Sequence, residues 1–176
     1  LTITGSGGTS LTASLSFTVS ENDDPLYFKV GDGENRFYYG DPDSGGTPAT
    51  DLTGWSFAGG VLTLNGFEWR TAAQNSLTIV GGDLMIRLAD GSENTIVSNF
   101  DGNGTDNTCG IFMEYENLTI EGDTGSLTAG GGGTQSGDSA GIRVENGTLE
   151  INGGNVAAMS NDWFGGERGT CYSIYA

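Results

Sequence analysis

The sequence contains no histidine, a single lysine and only six basic residues against 23 acidic ones in 176 residues. The absence of histidine excludes Ser-His-Asp and Cys-His catalysis as well as histidine-ligated zinc. The net charge of -17 repels nucleic acid and anionic membranes, so we expect neither as a partner. The apolar runs are far shorter than a membrane span, which argues against membrane insertion.

The abundant residues are those of turns and strands. The chain has 32 glycines and many Thr, Ser and Asn residues, but no segment of ten or more residues with helical apolar spacing. This composition predicts an all-β protein with frequent turns. The excess of acidic residues has two interpretations: solubility in an extracellular medium, or carboxylates that bind a cation.

One pattern recurs at an interval of 31 residues in the second half of the chain. The segment CGIFMEYENLTIEGD, which starts at Cys109, is echoed by AGIRVENGTLEINGG from Ala140, and CYSIYA from Cys171 begins a third copy. Alignment of Ile174 with Ile142 in that copy requires an interval of 32 residues in place of 31. Apolar residues alternate in each copy, which predicts short strands with one buried face. Such strands must stack on their neighbours to bury that face. We therefore predict a right-handed parallel β-helix.

The repeat divides the chain into two parts. Residues 54–176 contain the predicted coils of the β-helix. Residues 1–53 contain an N-terminal region rich in β-hairpins, which either covers one end of the coils or closes a preceding module. Insertions of different length fall at one corner of the coils, at residues 100–108, 130–139 and 161–170. Insertions at one corner of a solenoid project from one side, which is commonly the binding side.

The end of the sequence lies inside a predicted strand. An uncovered strand recruits other chains, so either the natural protein continues or this chain forms a homo-oligomer through its uncapped end. The register also bears on the two cysteines. Cys109 and Cys171 fall two coils apart, with Ala140 between them, so their Cα atoms would be ~10 Å apart, too far for a disulfide. We expect two free, buried thiols.

Alternation also predicts which side chains face outward in the repeat. Phe112 and Glu114 should point outward and should lie beside Arg143 and Glu145 of the next coil. Two adjacent carboxylates repel each other unless a proton or a cation lies between them. This predicts a Ca²⁺ ion between Glu114 and Glu145, with a solvated pair moderated by Arg143 as the alternative.

A second group of candidate calcium ligands lies in the insertions. Asp101, Asn103 and Asp106 alternate with glycines, a pattern similar to the first part of an EF-hand loop but without its twelfth-position glutamate. Asp138 lies in the next insertion and is a further candidate ligand. The alternative is an ordinary turn of Asx and Gly residues.

Three aromatic residues are candidates for contacts with a sugar ring. Trp163 and Phe164 lie in a glycine-rich insertion, and Tyr115 follows the outward-facing strand residues. Aromatic rings on a loop stack on flat apolar partners. The alternative is that Trp163 and Phe164 fold back over the flank of the solenoid.

The segments LTLNG, DLMIRLADGSENTI, GIFMEYENLTIEG and AGIRVENGTLEINGG resemble the carbohydrate-binding β-helix domain of secreted proteins from gut and cellulolytic Firmicutes. The resemblance covers residues 54–176. It implies non-catalytic, calcium-assisted binding of a plant polysaccharide such as pectic acid or cellulose, with Phe112, Tyr115, Arg143, Trp163 and Phe164 as ligand-binding candidates. It also implies a secreted or cell-surface location.

Two alternative functions remain open. One is a structural or adhesin module of the cell surface without a small ligand. The other is a calcium-dependent polysaccharide lyase in which Arg143 abstracts a proton beside a uronate carboxylate. The lyase is disfavoured because Glu114 and Glu145 would stabilise the charged guanidinium.

Overall fold

A computed structural model describes residues 3–4, 10–11, 24–31, 35–102, 105–134, 136–161 and 170–176. Within these ranges the chain is all-β, as predicted, and the single helical turn is a short 3-10 helix at Pro42–Ser44. No helix in this part of the chain is long and apolar enough to span a membrane.

The strands follow one another closely along the chain. They are β1 (Ile3–Thr4), β2 (Ser10–Leu11), β3 (Leu26–Lys29), β4 (Arg36–Tyr39), β5 (Thr47–Pro48), β6 (Trp55–Ala58), β7 (Val61–Leu64), β8 (Glu68–Thr71), β9 (Asn75–Val80), β10 (Leu84–Leu88), β11 (Glu93–Ser98), β12 (Asp101–Gly102), β13 (Thr108–Glu114), β14 (Leu118–Gly122), β15 (Ser126–Gly130), β16 (Gly133–Thr134), β17 (Ser139–Glu145), β18 (Leu149–Ile151), β19 (Asn155–Met159) and β20 (Cys171–Tyr175).

Most of these strands belong to three sheets. The first sheet has the order β18-β14-β10-β7-β6, the second β19-β15-β11-β8, and the third β20-β17-β13-β9-β3-β4-β5. Strands β7 to β11, β13 to β15 and β17 to β20 belong to the first, second and third sheets in turn. From β10 onward, each of these strands pairs in parallel with the strand one round earlier. Equivalent side chains of successive rounds therefore lie beside one another.

The register of the third sheet places like residues opposite like residues. Ile111 of β13 pairs with Leu77 of β9 on one side and with Ile142 of β17 on the other. All three side chains are fully buried. The pairing of Ile111 with Ile142 is the one that the interval of 31 residues predicts.

The sheets are mixed, whereas the sequence predicted parallel coils. Antiparallel pairs join β3 to β4, β4 to β5 and β6 to β7 at one end of the first and third sheets. The β3–β4 pair is the hairpin predicted in the N-terminal region. Strand β3 also pairs in parallel with β9, so part of this region extends the third sheet.

The core changes in composition along the sheets. Near the antiparallel strands, Phe37 lies against Phe28, Trp55 and Phe67 at ring-centroid distances of 4.8, 4.9 and 5.1 Å. Farther along, the buried positions are mostly Leu, Ile, Val and Ala. Bulky rings therefore fill the end where the sheets stop being parallel, and aliphatic stacking fills the parallel part.

The two cysteines differ from one another. Both are free, as predicted, and Cys109 is buried, but the prediction that Cys171 is buried was wrong. The interval between β17 and β20 is 32 residues, so Cys171 pairs with Ser139 and not with Ala140. Strand β20 is also the last in its sheet among the described strands, so no later strand covers the thiol.

Candidate functional site

A strip of outward-facing side chains crosses three neighbouring strands of the third sheet. Phe112 of β13 pairs with Arg143 of β17, which pairs with Tyr175 of β20. The alternate residues of β13 and β17, such as Met113 and Val144, are buried in the core. The predicted outward direction of Phe112 and Arg143 follows from this alternation. We call Phe112, Arg143 and Tyr175 the outer strip.

Arg143 is the most constrained member of the outer strip. Its side chain is only 9% exposed and forms an ion pair with Glu145 through Nε and Nη2. The Asp138 carboxylate lies 3.9 Å from Nη1, and the guanidinium carbon lies 4.7 Å from the centre of the Tyr175 ring. A cation over an aromatic face is attracted to it. Arg143 is thus fixed between two carboxylates and a ring.

A pocket of about 210 Å³ opens beside the strip and is lined by Asn75, Asn107, Cys109, Phe112, Arg143 and Glu145. Its polar groups are two amides and one ion pair. Burial raises the pKa of the Cys109 thiol to about 12, although the nearby Arg143 opposes this shift. The thiolate, the reactive form of cysteine, is therefore rare at neutral pH.

Glu114 and Tyr115 lie at one end of the strip. Glu114 pairs in register with Glu145, as predicted, and is exposed, but the partner of Glu145 is Arg143. The Tyr115 side chain is 69% exposed. A hydrogen bond to the Glu114 carboxylate raises the pKa of the Tyr115 hydroxyl.

Tyr115 also has an unusual backbone conformation. Its φ of 69° lies in the left-handed region, as does the φ of 54° at Asn146, which follows β17 as Tyr115 follows β13. Asparagine adopts this conformation at little cost, whereas a tyrosine there is strained. The chain thus holds a large exposed ring at a position better suited to Asn or Gly.

The other candidate calcium ligands are separate from this site or have partners within the protein. Asp106 accepts a hydrogen bond from Gln74 Nε2, and Asp138 accepts one from the backbone N–H of Thr170. Asp101 lies in a different cavity, and Asn103 is outside the described residues. Among the described residues, no three Asp, Glu or Cys side chains converge in a group that could hold a metal. Calcium binding stays a prediction.

The predicted corner of insertions contains the larger cavity, of about 710 Å³. Two of the insertions touch one another there through the short parallel pair β12–β16. The lining includes Phe100, Asp101, Gly131, Met159 and Asn161. Trp163 and Phe164, the aromatic candidates of the third insertion, are outside the described residues.

Two features of the site were not anticipated from the sequence. Tyr175 was not among the candidates, because the sequence leaves the last interval open between 31 and 32 residues, and only 32 aligns Tyr175 with Arg143. The role of the glycines that precede Ile111 and Ile142 was missed as well. A Cβ at Gly110 would lie 2.5 Å from the backbone nitrogen of Gly130, so glycine is needed where β13 approaches β15.

No protein-family model, no curated protein and no solved structure matches the chain. The resemblance to the carbohydrate-binding β-helix domain therefore stays a prediction.

Proposed function

We propose that the chain is a right-handed parallel β-helix from a secreted or cell-surface protein, and that it binds a plant polysaccharide without chemically changing it. The scaffold is supported by the three series of parallel strands, in which equivalent residues of successive rounds pair. A solenoid of this kind presents an extended, rigid surface to a polymer.

The observation that carries the proposal is the outer strip with Tyr115 beside it. Phe112 and Tyr175 lie in register on either side of Arg143, along a line that crosses three strands, and the Tyr175 ring stacks on the Arg143 guanidinium. Flat apolar faces interleaved with polar groups suit a chain of pyranose rings, because each ring has C–H faces and hydroxyl edges. The amides of Asn75 and Asn107 supply further hydrogen-bonding groups in the adjoining pocket.

A binding function fits the chemistry of the site better than a lyase does. A lyase would need Arg143 as its base, but the guanidinium forms an ion pair with the Glu145 carboxylate and lies 3.9 Å from that of Asp138. The Cys109 thiol is buried, and burial raises its pKa to about 12.

Calcium is a separable part of the proposal. At the outer strip, an ion between Glu114 and Glu145 would have to compete with Arg143 for the Glu145 carboxylate. Glu114 is exposed and faces solvent, so it is the carboxylate best placed to share an ion with a uronate of the polymer.

The test is affinity electrophoresis through gels that contain polygalacturonate or soluble cellulose, with calcium and with a chelator. We expect Phe112→Ala and Tyr115→Ala to weaken retention about tenfold. Asn146→Ala is the matched control for Tyr115→Ala, because it alters the equivalent turn without removing a ring. Arg87→Ala is the control for Arg143→Ala, since Arg87 forms an exposed ion pair with Glu121 on the first sheet.

The outcomes separate the parts of the proposal. Wild-type retention that survives chelation would contradict the role of calcium but leave the outer strip intact. Equal retention of Phe112→Ala, Tyr115→Ala and wild type would contradict the outer strip. Release of unsaturated sugars would identify a lyase.

A structural module is the second candidate, and the exposed apolar residues of the last strands favour it. Ile151, Met159 and Ile174 are each at least 40% exposed. A module whose task is assembly would not be retained by either polysaccharide.

A further inference from the structure

The outer strip continues across the rest of the third sheet. Phe112 of β13 pairs with Thr78 of β9, and Thr78 pairs with Tyr27 of β3. Tyr27 pairs in turn with Tyr38 of β4, where the strands become antiparallel. One line of directly opposed residues therefore runs from β20 back into the N-terminal hairpin. We call the line formed by Tyr27, Thr78, Phe112, Arg143 and Tyr175 the long strip.

Tyr27 lies on the same outer face of the sheet as Phe112. Leu26 and Phe28 flank Tyr27 in β3, and both are fully buried in the core. Because successive side chains of a strand point to opposite faces of the sheet, Tyr27 points outward, where it is half-buried. A hydrogen bond links its hydroxyl to the Thr78 side chain. The ring is therefore held beside the next member of the long strip.

The outer faces of the other two large sheets lack aromatic rings. The described strands of the first and second sheets contain the aromatic residues Trp55, Phe57 and Trp69, and all of them pack into or against the core. In the third sheet, by contrast, Tyr27 and Phe112 face outward. Aromatic rings gathered on one outer face indicate that this face binds a partner with flat apolar surfaces.

Rings and polar side chains alternate along the long strip. The rings belong to β3, β13 and β20, and the strands between them, β9 and β17, contribute Thr78 and Arg143. Because neighbouring strands lie about 4.8 Å apart, the Cα atoms of successive ring-bearing residues lie about 10 Å apart. The long strip therefore has an aromatic residue at every second strand and a polar residue at the strand between.

We propose that the long strip binds a flat, β-1,4-linked pyranose chain that lies across the strands, and that Tyr27 is a further binding residue. In such a chain each sugar is turned over relative to the previous one, so every second sugar presents the same apolar face, at a distance close to two strand spacings. Alternate sugars can therefore contact Tyr27, Phe112 and Tyr175. An α-1,4-linked galacturonate chain coils and does not repeat its faces in this way. The inference rests on the proposed function and narrows it to cellulose-like polysaccharides.

The first test compares dissociation constants of β-1,4-linked glucose oligosaccharides by titration calorimetry. A trisaccharide reaches two ring positions and a pentasaccharide reaches three, so we expect the pentasaccharide to bind about tenfold more tightly. Galacturonate oligosaccharides of the same lengths should show no such step. Tighter binding of the galacturonate pentasaccharide, with or without calcium, would overturn the inference but leave a binding function intact. Binding of neither the oligosaccharides nor the polymers would contradict the proposed function itself.

Variants of Tyr27 locate the additional contact. Tyr27→Ala should weaken binding of the glucose pentasaccharide about tenfold but change that of the trisaccharide by less than about twofold, because the trisaccharide still reaches Phe112 and Tyr175. Tyr27→Phe keeps the ring and should retain the wild-type affinity. Met85→Ala is the matched control, since Met85 is half-buried at an outward position of the first sheet. An unchanged pentasaccharide affinity in Tyr27→Ala, or an equal loss in Met85→Ala, would overturn the role of Tyr27.

A measurement on the wild-type protein does not depend on how Tyr27→Ala folds. Added glucose pentasaccharide should shift the ring NMR signals of both Tyr27 and Phe112, while those of Phe67, which is buried in the core, should stay in place. Shifts at Phe112 without any at Tyr27 would show that the bound chain does not extend to β3, and would contradict the long strip.

Discussion

The two ends of the large sheets differ in how well their apolar side chains are covered. At one end, the first and third sheets turn back on themselves in antiparallel strands, and Phe28, Phe37, Trp55 and Phe67 fill the space beneath. At the other end, β18 and β20 are the last described strands of the first and third sheets, and they leave Ile151 and Ile174 partly exposed.

A stack of parallel strands cannot cover its own terminal strand. Each new round repeats the pattern of the previous one, so the last round always presents an apolar face and unpaired backbone groups. A different chain direction, bulky side chains and a proline are what close the first end. The same residue type can therefore contribute very different amounts to the free energy of unfolding, depending on whether another round covers it.

The largest effect should come from the aromatic cluster. Phe37 is fully buried against three other rings, so we expect Phe37→Ala to lower the free energy of unfolding by about 3–5 kcal/mol. Tyr175→Ala, which removes a partly exposed ring over Arg143, should cost about 1 kcal/mol or less. Urea denaturation of both variants measures the contrast, and similar losses would contradict it.

The sharpest form of the comparison uses one residue type in successive rounds. Ile142→Ala should cost about 2–4 kcal/mol, because the side chain is fully buried, while Ile174→Ala should cost under about 1 kcal/mol. Urea denaturation measures both losses. A large loss for Ile174→Ala would mean that other residues of the chain cover β20.

The two thiols extend the comparison to alkaline pH. Below pH 9.0, the ordinary pKa of a thiol, Cys109 is protonated in both the folded and the unfolded chain. Above it, the unfolded chain loses the proton first, because burial raises the folded pKa of Cys109 to about 12. Stability should therefore fall as pH rises, by about 1 kcal/mol between pH 9 and 10.

Cysteine variants isolate this contribution. Cys109→Ala should remove the thiol's part of the loss between pH 9 and 10. Burial raises the pKa of Tyr39 from its ordinary 10.0 to about 12, so Tyr39 adds a second loss of stability that begins near pH 10 and is the same in all variants. Parallel profiles for wild type and Cys109→Ala would contradict the burial of Cys109.

The smallest expected effect concerns the two left-handed turns. Tyr115→Asn gives the first turn the residue that the second already has at position 146, and we expect it to stabilise the fold by about 0.5 kcal/mol. If Tyr115 contacts the polysaccharide, the same variant should also weaken binding. A neutral or destabilising result would show that the ring makes contacts that outweigh the strain.

The strand faces in the second half of the chain could be predicted because alternation is a local signal. Ile111, Met113, Ile142 and Val144 are inward as predicted, and the pairing of Glu114 with Glu145 follows from the same interval. The hairpin of β3 and β4 lies in the N-terminal region, which was predicted to be rich in β-hairpins.

Features that depend on contacts between distant segments could not be predicted in this way. The ion pair of Arg143 with Glu145 requires a rotamer choice that the interval does not determine. The place of β3 beside β9 joins segments about fifty residues apart, without a shared motif. The register of Cys171 could be narrowed to an interval of 31 or 32 residues but not decided, and the interval of 32 makes Ser139 its partner in place of Ala140.

The stacking of successive rounds is the claim on which the rest depends, and nuclear Overhauser contacts between labelled isoleucine and leucine methyl groups test it most directly. Neighbouring strands lie about 4.8 Å apart, so cross-peaks should link Leu77 to Ile111, Ile111 to Ile142, and Ile142 to Ile174 in that order. Cross-peaks from Ile111 to other partners, with none to Ile142, would contradict both the register of the third sheet and the outer strip that depends on it.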